Sequence, residues 1–115
     1  MTHATRFVTA VVLTALALCA PVQAQTPEID ALRVRAEQGY ASAQFNLGCT
    51  SKDGRGTPQY DVEAHMWLSL ATAQSSGEDR NTCVHARNVV AERMTADQLL
   101  EAQRRAREWT PTPER

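Results

Sequence analysis

One stretch constrains this chain more than any other: Gly39 to Gly77, GYASAQFNLGCTSKDGRGTPQYDVEAHMWLSLATAQSSG. Two segments with helical periodicity flank a glycine-rich turn, Gly54-Arg55-Gly56, followed by Thr57-Pro58. Glycine and proline at such density end helices and reverse the chain. The stretch therefore reads as one helix–turn–helix unit, and the remaining segments read as its neighbours.

In the first half of the unit, a helix is expected from about Tyr40 to Lys52. Ala43, Leu47 and Thr50 fall on one face, with Phe45, Cys49 and Lys52 opposite. Apolar residues on two sides predict a helix sandwiched between neighbours. Gly48 inside it costs about 1 kcal/mol against alanine, so a close helix crossing is expected there. The second half predicts a helix over Asp61 to Ser75. Val62, Met66, Leu70 and Ala73 form one stripe, with Trp67 beside it, and Ala64, Leu68 and Ala71 form another. Only His65, Ser69, Thr72 and Ser76 form a polar stripe. This helix is expected at the centre of the core, closed by Gly77.

Helices are also expected before and after the unit. Thr26-Pro27-Glu28 supplies an N-cap, a proline at the first helical position and an acid at the positive end of the dipole. Ile29, Leu32 and Ala36 follow, with Gly39 as the stop. A fourth helix is expected from about Glu78 to Arg93, with Cys83, Ala86, Val90 and Met94 on one face. Thr95-Ala96-Asp97-Gln98 is a capping box that opens a fifth. Leu99, Ala102, Ala106 and Trp109 recur along it at spacings of 3, 4 and 3. Thr110-Pro111-Thr112-Pro113 ends that helix and is expected to begin a frayed tail over 111–115. The fold class is all-α, about five helices, with no convincing strand.

The start of the chain reads differently. Arg6 precedes an apolar run from Phe7 to Ala20, then Pro21, then Val22-Gln23-Ala24. That order is the grammar of a secretory signal peptide, 1–24, cleaved after Ala24. The run is shorter than the roughly 20 residues of a spanning helix, so no membrane segment is expected after cleavage. A mature chain from Gln25 supports one domain, 25–110. The 115-residue chain has a formal net charge of −1, and losing Arg6 makes it slightly more acidic. With no basic excess, nucleic acid is not an expected partner.

No site chemistry stands out. Cys83 and His85 are two residues apart and point about 200° away from each other on a helix, so they do not form a dyad. No nucleophile elbow, zincin or phosphate-loop motif is present. His65, His85, Cys49 and Cys83 are ligand types without metal-site spacing. The expectation is a non-enzyme with no cofactor and no metal.

The central stretch resembles the Sel-one-like repeat, a relative of the tetratricopeptide repeat. The residues that carry the resemblance are Ala43-Gln44, Leu47-Gly48, Gly54-Arg55-Gly56, Pro58-Gln59, Glu63-Ala64, Met66-Trp67 and Leu70-Ala71. They span one repeat. The segment from Met94 to Trp109 looks like the tail of small exported bacterial proteins of this class. The chain departs from the pattern at Thr50, Ser51, Thr57 and the Tyr60-Asp61 pair, which predicts a late start for the third helix. The resemblance implies a short α/α solenoid and a scaffolding role through protein–protein contact, and the signal-peptide pattern implies the periplasm or the outside of the cell. The partner is an unknown protein, or a second copy of the chain. Other readings are a structural or stress-related envelope protein and a metal- or thiol-active protein.

Repeat units bury their apolar faces on neighbours and normally need about three. The helix bearing Trp109 must then cap the array, or the protein must associate. The expected binding face comprises Gln44 and Asn46 of the second helix and His65, Ser69 and Thr72 of the third. In a stacked array Cys49 faces the helix that carries Cys83. Export would favour a bridge between them, worth roughly 3–4 kcal/mol, the alternative being two unpaired thiols. The export reading makes the mature N-terminus measurable. The intact mass of protein from its source cell should match a chain beginning at Gln25, and a full-length mass would overturn cleavage.

Overall fold

The computed structural model describes residues 26–54 and 58–114, with five helices and no strand among them. They are α1 (Pro27–Glu37), α2 (Ala41–Lys52), α3 (Pro58–Gln74), α4 (Gly77–Ala91) and α5 (Ala96–Glu108). The expected signal peptide, and Arg55 to Thr57 of the expected turn, lie outside the described residues.

Local chemistry sets most of the boundaries. Thr26 accepts the Ile29 amide at 3.2 Å and caps α1. At the other end, the amides of Gly39 and Tyr40 return to the carbonyls of Ala36 and Arg35. That pairing requires a left-handed residue, and Gly39 supplies it at φ +102°. The capping box of α5 is complete: the Gln98 amide donates to Thr95 Oγ1, and the Thr95 amide donates to Gln98 Oε1.

The third helix differs from expectation. It opens at Pro58 rather than Asp61, because proline suits the first helical position. Asp61 therefore sits inside the first turn. There its carboxylate receives Arg93 Nε at 2.8 Å, and Arg93 Nη2 donates to the Lys52 carbonyl at 2.5 Å. One guanidinium from the α4–α5 turn thus joins the end of α2 to the start of α3. Gly77, expected to close α3, enters α4 at φ +59° instead.

α3 is the hub. It packs on α2, α4 and α5, while α1 packs on α2. Two apolar clusters result. The first holds Ala36, Ala43, Leu47 and Trp67, with Ile29, Leu32, Met66, Leu70 and Trp109 around them. The second holds Ala64, Leu68, Ala86 and Val90, flanked by Phe45, Cys49 and Met94. The two apolar sides of α2 divide between these clusters as its periodicity requires. Trp109 meets Trp67 edge-to-face, with centroids 6.3 Å apart, so the end of α5 covers the first cluster.

Three expectations on polar residues are overturned. Gln44 is 0%, Thr72 3% and His65 6% exposed, so none belongs to a free binding face. A helix with three packed neighbours has little solvent face left, and the polar stripe of α3 turns toward α4. Gln44 instead links three elements: its Nε2 donates to the Ala36 carbonyl, and its Oε1 accepts from Gln74 Nε2 at 2.7 Å. Residues 111–114, expected to fray, are held in place. The Thr112 amide donates to the Glu37 carbonyl at 2.7 Å, and Tyr40 donates to Glu114.

At Gly48 α2 packs directly against α3. A Cβ there would lie 2.7 Å from Leu68 Cγ and 3.3 Å from the Ala64 carbonyl oxygen. Gly48→Ala should gain about 1 kcal/mol of helix propensity and lose up to about 3 kcal/mol to overpacking. The expected net is a loss of up to about 2 kcal/mol, read in chemical denaturation. A variant as stable as the parent would show that the two helices can separate without cost.

Candidate functional site

α2 and α4 both lie along one side of α3, and near the N-terminal ends of the two helices a cleft stays open. Ala41, Ser42 and Phe45 line it from α2, and Asp79, Thr82 and Cys83 from α4. Ser75, in the link between α3 and α4, completes the wall. Positions 41, 42 and 45 and positions 79, 82 and 83 are each one helical stripe, so two regular helices build the cleft. Its volume is about 260 Å³. That is just below the usual range for small-molecule pockets and suits one inserted side chain.

The chemistry of the lining is mixed. Phe45, Ala41 and Cys83 give an apolar floor. Ser42, Ser75 and Thr82 supply hydroxyls. Thr82 donates to the Glu78 carbonyl at 3.0 Å, and Ser75 Oγ lies 3.9 Å from Cys83 Sγ. Asp79 is the one charged residue in the wall. Gln44 accepts from Gln74 and so ties the end of α3 to α2.

Of the five residues expected on a binding face, the structure brings only one near this cleft. Asn46 is exposed and stands one turn beyond Ser42 on the same side of α2. Ser69 is half-buried and lies 3.3 Å from His65 Nδ1, away from the cleft residues. Ser42, Phe45, Asp79 and Thr82 were not anticipated. No motif marks them, because they meet only when two separate helices are set side by side.

The expected bridge between Cys49 and Cys83 is absent: both are free. The facing helices are the expected ones, but the level is wrong. Cys83 shares the cleft with Phe45, whereas Cys49 lies four residues past Phe45, about 6 Å further along α2. Burial pushes the Cys49 thiol up, which keeps its nucleophilic thiolate scarce. Among the described residues no group of three or more His, Cys, Asp or Glu is placed to hold a metal ion.

Comparison of the chain with family models, curated proteins and solved structures finds no match.

His65 is a buried histidine of α3. Burial lowers its pKa, and the nearby Arg87 cation lowers it further. The unfolded chain therefore binds a proton near pH 6.5 that the folded chain resists. The stability this contributes is complete above about pH 6.5 and is lost as pH falls through the folded value. The denaturation midpoint should drop between about pH 7 and about pH 5, and His65→Gln should flatten that drop. An identical pH profile in the variant would place the proton-linked group elsewhere.

Proposed function

We propose that this chain is a non-catalytic protein-binding module of the cell envelope, exported by its N-terminal segment and similar to the Sel-one-like repeats. The observation that carries this reading is the α2–α4 cleft. Its side chains Ser42, Asp79 and Thr82 are exposed or on the rim and add little to the core, yet they surround an apolar floor. A cleft sized for one side chain, with hydroxyls at its edge, suits an anchor residue of a partner segment and the polar backbone on either side of it.

The resemblance supports the same reading. Ala43, Leu47, Gly48, Ala64, Trp67 and Ala71, which carry it, are all buried and hold the helix pair together. Residues that serve the scaffold leave the cleft walls free to vary with the partner.

The test places a photo-crosslinking residue at Asn46, beside the cleft, or at Gln103, on α5, in the full-length protein in its native envelope. Capture of a protein from position 46 and not from 103 is expected. Thr82→Arg then fills the cleft with a long cation. It should abolish capture while leaving stability within about 0.5 kcal/mol, as an exposed substitution does. Capture that survives Thr82→Arg would overturn the cleft as the binding face. Capture only of a second copy would make the chain a self-associating envelope component.

A further inference from the structure

The corner between α1 and α2 presents three groups that the rest of the chain reads with its C-terminal end. The Glu37 carbonyl belongs to the last turn of α1 and has no helical partner, and it accepts the Thr112 amide at 2.7 Å. Gly39 offers a surface without a side chain, where Pro111 Cβ lies 3.6 Å from the position a Cβ would take. The Tyr40 hydroxyl donates to Glu114 Oε1 at 2.5 Å, and the Arg35 guanidinium stands 5.3 Å from the centre of that ring. The corner thus recognises a proline, the main-chain N–H after it and an acid three positions after it.

We infer that this corner is a binding site for extended peptides of the pattern Pro-x-x-acid, held shut here by the protein's own Thr110–Glu114. Every residue of that segment is exposed. No buried side chain anchors it beyond Trp109, so it can leave without opening the core. Its prolines hold it near the extended form, which keeps the entropy cost of docking small for this segment and for any peptide like it. A tethered segment competes at an effective concentration in the millimolar range. A short free peptide of equal affinity therefore displaces it poorly. A partner protein succeeds when its Pro-x-x-acid segment is joined to a second contact.

The probe is the capped peptide Thr-Pro-Thr-Pro-Glu, titrated into isotope-labelled full-length protein and followed by amide chemical shifts. In the parent protein, shifts at Gly39 and Tyr40 should saturate only at high concentration. Thr112→Pro removes the amide that the Glu37 carbonyl accepts, and should bring the same shifts at least tenfold lower in peptide concentration. Glu114→Gln, which leaves the backbone bond in place, should bring them about threefold lower. In the Thr112→Pro protein, a peptide ending in Gln should bind about threefold more weakly than the one ending in Glu. A folded Thr112→Pro protein with no saturable shift at Gly39 and Tyr40 would overturn the inference. So would loss of α1 and α2 helicity in both variants, since the segment would then be a structural cap.

Discussion

The contact on which the rest of this structure depends is the approach of α2 to α3 at Gly48. Without a Cβ there, Leu68 and the Ala64 backbone come in close enough for the two helices to act as one slab. A slab has two faces, and each finds its own cover. α1 and the end of α5 close over Trp67 on one side, and α4 closes over Leu68 on the other. Were the pair splayed, neither cluster would have a floor, and α4 would have nothing to set it alongside α2.

Polar groups fix the alignment that apolar contact leaves free. Arg93 spans the end of α2 and the start of α3 through Asp61, whose side chain is only 7% exposed. Arg33 Nη1 donates to Glu63 Oε1 at 2.6 Å, and Trp67 Nε1 donates to the same oxygen at 3.3 Å. Gln44 does the equivalent with neutral groups. Pairs of this kind add little net stability, but removing Arg93 would strand the buried Asp61 carboxylate. They therefore penalise every misaligned packing of the same helices. The ion pairs along α5 differ. Arg104 and Arg105 hold the Glu101 carboxyl down to about 2, yet the cluster faces solvent and screening reduces its worth.

How much of this was legible in the sequence depends on the range of the signal. Thr26, Gly39 and the Thr95–Gln98 box act within one turn, and the sequence displays them. Gly48 was readable because a glycine inside a helix asks for a neighbour. His65, Thr72 and Gln44 look like a free face in the sequence and are buried, since residue type does not show how many helices surround α3. The two cysteines were assigned to the correct facing helices and missed by one turn, because periodicity gives direction and not height. Asp79 and Thr82 join Ser42 and Phe45 through the relative placement of α2 and α4, which no local pattern encodes.

The contact between the two ends of the described chain changes what kind of array this is. In an open stack of helix pairs, stability is a sum over neighbours and either end can unravel alone. Here Trp109 rests on Trp67, and residues 111–114 reach the α1–α2 corner. The last helix is answerable to the first, so the stack is closed into a loop of contacts. Unfolding of either terminal helix of the described chain would therefore uncover the same apolar cluster, since Ile29 and Leu32 of α1 and Trp109 beyond α5 all pack against it.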